Sequence, residues 1–400
     1  MTIEFEYWWL LILPLFFTLG WVAARVDIKQ LISESTTLPA AYFKGLNFLI
    51  GDQHNKAVEA FSEAIHVNSD SLELHFALGS LFRRTGETDR AINMHLNLLE
   101  KKELTENQTE AVKAELAQDY LKAGLYDRAE ELFKGLKDQR YRQPALNALL
   151  EIYVREREWE QAIETATELE RLSGIPFRKE VAQYHCELAM NAMIDQQLDQ
   201  VRFHLAHALD ANKKCVRANV LLGDLEIQLD NHAAAISHWK HIEFQDPEHL
   251  GLVAPKLLNS FSATDKAKDG IALLKTYLES YKLPSLMSAL YEATITEEGP
   301  DSAATLARNE LIRQPGLQTL DQLLQARAMS DKDSRSKNNQ DIQLMQQTVR
   351  NAIGNRSAYH CNQCGFRAKQ YHWQCPACNA WESLPSEPSE AVSREMTIKK

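Results

Sequence analysis

Glycine and proline are scarce in this chain, with 15 and 12 residues respectively among 400. Collagen-like and low-complexity chains need far more of both, so the composition is that of a protein that folds. Basic residues are also few, since 44 lysines and arginines against 55 acidic residues give a net charge of −11. Broad binding to a phosphate backbone depends on basic side chains that displace its counterions. The charge therefore argues against general nucleic-acid binding and leaves only a local basic face open.

The sequence also lacks the short motifs of common enzyme classes. It contains no GxxxxGK[ST] phosphate loop, no HExxH zinc motif, no GxSxG nucleophile turn and no glycine-rich dinucleotide loop. We therefore expect a protein without catalytic activity of its own.

A helical repeat with a period of 34 residues organises most of the chain. Its first two copies are marked by small and large apolar positions, which are Gly45, Ala57, Phe61 and Ala64, then Gly79, Ala91, His95 and Leu98. This pattern is typical of the tetratricopeptide repeat, in which each unit is a hairpin of two helices. One hairpin cannot bury its own apolar face, so successive hairpins must stack. The sequence predicts an all-α fold, a tetratricopeptide-repeat superhelix of about eight to nine units over residues 40–330.

Some predicted units depart from the repeat pattern. Val201 in the fifth unit and Gly270 in the seventh stand where alanine is expected. After the eighth unit, residues 317–330 are predicted to form a helix that acts as a cap or half-unit. Such a stack has a long surface that suits a helix or an extended segment of another protein. The array therefore predicts protein binding.

An apolar stretch near the start predicts an N-terminal transmembrane helix. Residues 7–24 carry no charge over eighteen positions, and a helix of this length spans about 27 Å, close to one hydrocarbon core. Glu4 and Glu6 precede it, whereas Arg25 and Lys29 follow, so the positive-inside rule places the bulk of the chain in the cytoplasm. A cleaved signal peptide would need a basic leader, and the end helix of a soluble array would be amphipathic. We expect a single-pass membrane protein.

Four of the six cysteines form a metal-binding pattern, C-x2-C-x10-C-x2-C, and these are Cys361, Cys364, Cys375 and Cys378. Their clustering indicates a metal site in a reducing compartment rather than a disulfide framework. Four thiolates complete a tetrahedral shell and leave no position for water, so a structural ion is expected rather than a catalytic one. Iron and zinc both accept four sulfur ligands, and the spacing does not choose between them.

Residues beside these ligands favour a compact four-cysteine knuckle. Gly365 and Asn379 each follow the second cysteine of a pair, and both tolerate the left-handed backbone that turns amide N–H groups toward sulfur. We expect Phe366, Trp373 and Trp381 to cover its small core.

Other side chains have spacings that also fit a ligand set. His204, His207 and Asp210 share one helix face, as do His238 and His241, but ordinary surface histidines are the simpler interpretation.

The remaining candidates are weaker than the four clustered cysteines. His360 and His372 flank the ligands and could replace one of them. Cys186 and Cys215 lie alone on predicted helices, where a cysteine is usually a small buried apolar residue rather than a reactive thiol. We therefore assign metal binding to the clustered cysteines.

The segments between these parts complete the predicted organisation. An amphipathic helix with apolar positions at helical spacing precedes the cysteines, and because it needs a partner surface, we expect the carboxy-terminal module to dock on the array. The predicted domains are a periplasmic N-terminus 1–6, a transmembrane helix 7–24, a connector 25–39, repeats 40–330, a linker 331–340, an amphipathic helix 341–355, a rubredoxin-like metal-binding domain 358–384 and a disordered tail 385–400.

The apolar stretch, the repeats and the four-cysteine motif, in this order, resemble the lipopolysaccharide assembly protein B family, also called LapB or YciM. The resemblance rests on the apolar stretch, on the repeats, and on Cys361-Asn-Gln-Cys364-Gly365 followed by Cys375-Pro-Ala-Cys378. It covers nearly the whole chain and implies a protein of the cell inner membrane of the Gram-negative type. The family's metal ligands then carry over onto the four clustered cysteines.

The resemblance also implies a function and partners. It implies an adaptor that works with the membrane protease FtsH to control turnover of the deacetylase LpxC, and so regulates lipopolysaccharide biosynthesis. Other inner-membrane lipopolysaccharide regulators or assembly proteins are further implied partners.

Two other functions fit parts of the sequence. Four-cysteine ribbons occur in nucleic-acid-associated proteins, and Arg367, Lys369 and His372 lie beside the ligands. An iron-loaded knuckle could instead carry electrons in a redox protein. Salt-dependent binding to DNA or RNA would indicate the nucleic-acid-associated protein, and a reversible one-electron change would indicate the redox protein. The combination of anchor and array favours the adaptor.

Overall fold

The structure is a computed structural model, and it describes residues 17–18, 40–67, 71–101, 104–330, 337–354 and 359–387. The predicted transmembrane helix lies outside the described residues apart from Phe17 and Thr18, and the predicted N-terminus and connector lie wholly outside them. Across the helices of the described ranges, none combines the length and the apolar character that crossing a bilayer requires.

The chain divides into two compact units, Met1–Arg155 and Glu156–Lys400, and helices dominate the described part of both. The helices of the first unit are α1 (Ala40–Ile50), α2 (His54–Val67), α3 (Leu72–Thr85), α4 (Thr88–Leu99), α5 (Glu106–Ala123), α6 (Tyr126–Gly135) and α7 (Gln139–Glu156), which ends at the boundary. Those of the second unit are α8 (Trp159–Ser173), α9 (Arg178–Ile194), α10 (Leu198–Ala211), α11 (Val216–Gln228), α12 (His232–Gln245), a 3-10 turn (Pro247–His249), α13 (Leu250–Ala263), α14 (Ala267–Tyr281), α15 (Ser285–Glu298), α16 (Pro300–Arg313), α17 (Leu317–Ser330) and α18 (Lys337–Ile353). The predicted all-α tetratricopeptide architecture is confirmed within each unit.

Hairpins close because a small residue on the first helix faces a large one on the second. A Cβ atom added to Gly45 would stand 3.0 Å from the Phe61 ring, and one added to Gly223 would overlap the Trp239 indole. The indole of Trp239 is almost fully buried, and its N–H donates to the Val220 carbonyl at 3.2 Å. The small residue lets the two backbones approach, and the large one fills the groove between them.

We expect Gly223→Ala to destabilise the second unit by about 1 to 3 kcal/mol, because the new methyl group overpacks a rigid indole. Gly135→Ala is a matched control, since an added Cβ there meets nothing within 4 Å. Urea unfolding of the purified chain, followed by circular dichroism, measures both changes. Equal midpoints for the two variants would contradict this account of the crossing.

The two units that are degraded in sequence still pack as hairpins. In the seventh, the size relation is reversed: Phe261 on α13 lies against Gly270 on α14, where an added Cβ would come within 2.9 Å of the Phe261 side chain. In the fifth, Val201 is fully buried in the position of the expected alanine. Both departures therefore change side-chain size while keeping the interior filled.

His95 occupies a position that the repeat normally gives to a large apolar residue. It is fully buried, and its Nδ1 bonds to the carboxylate of Asp119, which is fully buried as well. Arg83 donates to Asp119 at 2.6 Å and to Glu115 at 2.6 Å. A buried charge is tolerated when it is paired and hydrogen-bonded in this way.

The end of the array agrees with the predicted cap and adds a longer final helix. The predicted cap helix is α17, and α18 packs against it. Arg350 of α18 donates to Asp321 of α17 at 2.9 Å. Helix α18 includes Lys337 to Gln340 of the predicted linker, where the sequence has no glycine or proline to interrupt it. The amphipathic helix is therefore docked on the array as expected, while residues 331–336 of the linker lie outside the described residues.

Candidate metal centre

The knuckle module, residues 359–387, is built on two tight reversals and a small sheet. β1 (Tyr359–His360) pairs antiparallel with β2 (Arg367–Ala368). The chain turns at Gly365 with a φ of 75° and again at Asn379 with a φ of 57°. Both residues adopt the left-handed conformation that the sequence predicts, so the two reversals have a similar backbone shape.

Each reversal directs a backbone N–H at sulfur. The N–H of Phe366 bonds to the Cys364 sulfur, and the N–H of Ala380 bonds to the Cys378 sulfur. In both cases the donor lies two residues after the cysteine. Such N–H groups favour the charged thiolate and hold the ligand in place.

The four cysteine sulfurs converge on one point. All lie within 4.8 Å of one another, and the sulfurs of Cys361 and Cys378, like those of Cys364 and Cys375, are 3.7 Å apart. In a tetrahedral centre with metal–sulfur bonds of about 2.3 Å, neighbouring sulfurs stand about 3.8 Å apart. The donor set therefore fits one four-coordinate ion, and the structure brings together all four cysteines of the sequence motif.

The ligands differ in exposure and in electrostatic surroundings. Cys361 and Cys375 are buried, whereas Cys364 and Cys378 are exposed. The Ser383 hydroxyl donates to the Cys361 sulfur at 3.3 Å and, with the backbone N–H of Cys364, lowers the pKa of the Cys361 thiol to about 6. A thiol with this pKa is ionised at neutral pH, the form that binds a metal, whereas burial and neighbouring sulfurs raise the pKa of Cys364 and of Cys378 despite their backbone N–H bonds.

The interior of the knuckle module is very small. Its buried residues and the aromatic rings packed on them are Cys361, Ala368, Cys375 and Leu384, with Tyr359, Phe366 and Tyr371. Phe366 covers this core as predicted. The prediction is wrong for Trp373 and Trp381, whose rings pack against the helical array instead. So small a core depends on a metal cross-link and on an external surface.

Trp381 makes the aromatic part of the docking surface. Its ring lies edge-on to Trp159 of α8 and to Tyr184 of α9, with centroids 6.2 Å apart in both pairs. The guanidinium of Arg217 on α11 lies 5.6 Å from the Trp381 ring centre. Edge-to-face pairs contribute about 0.5 to 1.5 kcal/mol each beyond buried area, and the cation adds to them.

A buried amide makes the polar part of the docking surface. Gln183 of α9 is fully buried, and its amide nitrogen donates to Glu382 of the knuckle module at 2.7 Å. Its amide oxygen accepts from Arg217 at 3.3 Å, and Arg217 also donates to Glu187 at 2.7 Å. These buried polar groups are paired, as a stable contact requires.

The far side of the module rests on the 3-10 turn that follows α12. The rings of Trp373 and His249 stack with centroids 5.6 Å apart and only 4° between their planes. The Tyr371 hydroxyl lies 3.4 Å from His249 Nε2, within hydrogen-bonding distance. Burial raises the pKa of Tyr371, so its hydroxyl remains neutral. Trp373 also packs against the main core of the second unit.

The predicted tail begins with residues that the structure places on the array. The Glu387 carboxylate accepts from the backbone N–H of Ser285 at 3.1 Å and from the Ser285 hydroxyl, at the start of α15. A carboxylate is favoured there by the unpaired N–H groups of the helix end. Burial raises the pKa of Glu387. Residues 388–400 of the predicted tail lie outside the described residues.

The other candidate ligands do not assemble into a metal site. His204 and His207 lie beside His185 of α9, with 3.4 Å between the Nδ1 atoms of His185 and His204 and a stacked His185–His207 pair. Burial lowers the pKa of His185 to about 4, so this ring stays neutral. Over the described ranges, the clustered cysteines are the only group of three or more such ligands that converges. Candidates left outside it are Asp210, His238, His241, His360 and His372.

The docking residues were not foreseen from the sequence. Gln183, Arg217, His249 and Ser285 come from four different elements and share no spacing or motif. Only the need of the carboxy-terminal module for a partner surface pointed to such contacts.

Two family models match separate parts of the chain. Residues 359–385 match a family model described as a rubredoxin metal binding domain, and residues 74–109 match the tetratricopeptide repeat model. A tetratricopeptide repeat protein from Parabacteroides merdae, whose structure is solved, is 14% identical and has a TM-score of 0.27, covering 77% of this chain and 97% of that one.

Relatives that match along nearly the full length come from two bacteria. Lipopolysaccharide assembly protein B of Escherichia coli strain K12 is 30% identical over 376 residues, which cover 94% of this chain and 96% of that protein. The protein of the same name from Haemophilus influenzae is 28% identical over 384 residues, with the same coverage. With this identity along almost its whole length, the chain belongs to the lipopolysaccharide assembly protein B family.

Proposed function

We propose that the protein is a membrane-tethered cytoplasmic adaptor that regulates lipopolysaccharide biosynthesis by promoting turnover of the deacetylase LpxC by the protease FtsH. Its family membership supports a role in regulating lipopolysaccharide assembly. The stacked hairpins support protein binding, which is what such arrays do. In this proposal the chain positions other proteins and makes or breaks no covalent bond.

The observation that carries the adaptor proposal is the docked knuckle module. Its contacts reach α8, α9, α11, the 3-10 turn and α15, through Trp381, Glu382, Trp373 and Glu387. A module held at so many points fixes the spacing of those helices. A surface that is already fixed loses less conformational freedom when a partner binds, so it binds more tightly for the same contacts.

In the proposed mechanism, the four clustered cysteines hold one structural ion, iron or zinc. Their sulfur spacing supports this role. When bound, the ion cross-links the two reversals of the knuckle, and its four protein ligands leave no position for substrate. The protein's own residues then do the rest: Ser383 and backbone N–H groups hold the thiolates, and the two tryptophans hold the module on the array.

The apolar stretch 7–24 is proposed to tether the adaptor to the inner membrane, with the bulk of the chain in the cytoplasm. Its lack of charge and the basic residues Arg25 and Lys29 that follow it support this arrangement. Tethering confines the adaptor to the plane in which a membrane protease works, which raises their effective concentration for one another.

Depletion of the protein in its own cells should lengthen the half-life of LpxC severalfold, because the protease loses the adaptor that delivers its substrate. Immunoblots after translation is arrested measure this half-life. A plasmid copy of the full chain should restore rapid turnover, and a copy without residues 1–24 should not. An unchanged half-life after depletion would rule out the proposed pathway.

The partners can be identified directly. Capture of the tagged chain from detergent-solubilised membranes should recover FtsH, LpxC or other inner-membrane regulators. A chain that ends at Ser330 lacks α18 and the knuckle module, and it should recover less of them. Equal recovery by the two chains would show that partner binding does not depend on the docked module.

A further inference from the structure

Two cysteines outside the metal centre lie side by side in the core of the second unit. Cys186 belongs to α9, and Cys215 immediately precedes α11. Their sulfur atoms are 3.8 Å apart, and both residues are fully buried. The sequence correctly predicts that each is buried, but it presents them as isolated because 29 positions separate them.

The two thiols have different surroundings. Cys215 occupies the N-cap position of α11, at the positive end of the helix, and Arg217 follows it. The pKa of Cys215 is lowered, first by the Cys186 thiol and further by the backbone N–H of Ala218 and by Arg217. The pKa of Cys186 is raised by sharing that hydrogen bond and by burial. One sulfur is therefore suited to be a thiolate, and its neighbour to keep a proton.

The cysteine pair lies beneath the knuckle module. The Gln183 amide nitrogen is 3.9 Å from the Cys215 sulfur and 2.7 Å from the Glu382 carboxylate of the module. One buried amide thus touches both the pair and the docked module. Release of the module breaks the Gln183–Glu382 bond and leaves the amide that lies against the Cys215 sulfur without its partner on the module.

We propose that Cys215 and Cys186 form an oxidation site for hydroperoxides, with Cys215 as the attacking thiolate and Cys186 as the resolving thiol. The Cys215 sulfur attacks one oxygen of hydrogen peroxide, the O–O bond breaks, and the leaving hydroxide takes a proton to become water. Cys215 is then a sulfenic acid. The Cys186 sulfur attacks it, the S–S bond forms, and the hydroxyl leaves as a second water with the Cys186 proton. Two thiols and one peroxide give one disulfide and two waters.

Geometry sets when this reaction runs. The sulfurs must move from 3.8 Å to about 2.05 Å apart for the disulfide to form. Peroxide cannot reach either sulfur in the docked state, since both are sealed from solvent. Oxidation therefore follows local opening of the docked module, and its rate reports how often the module lifts.

The test uses the full-length, metal-loaded protein in detergent. It is treated with hydrogen peroxide, quenched with an alkylating reagent and digested with trypsin. The digest separates the two cysteines into different peptides, because cleavage follows Lys179, Arg202, Lys214 and Arg217. We expect a disulfide-joined pair of these peptides. Failure to find it at peroxide doses that already oxidise the knuckle cysteines would overturn the proposal.

Variants assign the two roles. In Cys186→Ser, sulfenic acid should accumulate on Cys215, where a dione reagent traps it, and in Cys215→Ser the remaining thiol should stay unmodified. Equal trapping on Cys186 and Cys215 in these two variants would overturn the assignment. Circular dichroism checks that each variant is folded. The disulfide-joined peptides are sought in the wild-type protein, so that test does not depend on whether a variant folds.

A third variant tests the link to docking. Trp381→Ala removes the ring that packs on α8 and α9 and leaves both thiols intact, so oxidation should run about 30- to 700-fold faster than in the wild type, in step with the more frequent undocking. An unchanged rate would show that the module does not protect the pair. These results do not depend on LpxC turnover, so this site and the adaptor role stand or fall separately.

Discussion

Replacing Cys375 with serine is expected to release the knuckle module from the array and to abolish the proposed adaptor activity. Cys375 is fully buried in the knuckle core, and its sulfur lies 3.7 Å from that of Cys364. A serine hydroxyl is a poor ligand for an ion that prefers sulfur, so one quarter of the shell is lost. Structural zinc contributes about 10 to 16 kcal/mol in isolated zinc-finger peptides, far more than so small an apolar core supplies. Loss of the ion should therefore unfold the module.

Three measurements check this result on one preparation. Elemental analysis should find little metal in Cys375→Ser, limited proteolysis should cut within residues 359–387, and LpxC should become long-lived. Cys364→Ser should act in the same direction, because its sulfur belongs to the same shell although it is exposed. Cys186→Ser is the matched control, since it alters a buried cysteine that is not among the clustered ligands. A Cys375→Ser protein that keeps its metal, its protease resistance and its activity would refute the structural role of the ion.

Trp381→Ala is expected to loosen the module while the metal stays bound. The change removes two edge-to-face contacts, with Trp159 and Tyr184, and the contact with Arg217. Together these contacts and their buried area are worth about 2 to 4 kcal/mol. Undocking should then become about 30- to 700-fold more frequent, since 1.4 kcal/mol corresponds to a factor of ten.

Hydrogen exchange of the amides in residues 359–387 measures this opening. Metal content should equal that of the wild type, which separates loss of docking from loss of the ion. Phe203→Ala is the control, because it removes an exposed aromatic ring on α10 that lies edge-on to His204 and His207 rather than against the module. Wild-type exchange in the Trp381→Ala protein would show that the aromatic contacts do not hold the module.

The parts of the structure that the sequence predicts are those encoded by neighbouring residues. The close crossing of Gly223 and Trp239 follows from a repeat that places such a pair sixteen positions apart, as it does for Gly45 and Phe61. The four ligands fall within eighteen residues, and their spacing alone predicts that they converge. Both patterns are short enough for local geometry to determine the contact.

The docking surface could not be predicted in the same way. Each element contributes one or two side chains to it, and a lone Gln183 or His249 looks like any polar helix residue until its partner is known. The sequence predicts Trp373 and Trp381 in the knuckle core because an aromatic residue beside a metal ligand has the same appearance whether it points inward or toward a covering surface. The buried position of His95 is hard to predict for a related reason. The Asp119 carboxylate that pairs with it in the interior belongs to the next hairpin.

The bond between Gln183 and Glu382 joins residues 199 positions apart in the chain. At about 5 to 20 residues per second, a ribosome needs about 10 to 40 s to make the intervening segment. Throughout that interval Trp159 and Tyr184 are already synthesised while the ring that covers them is not. A message that stops after Tyr184 and before Trp381 therefore yields helices with an uncovered aromatic face, a product that quality-control proteases and chaperones can recognise.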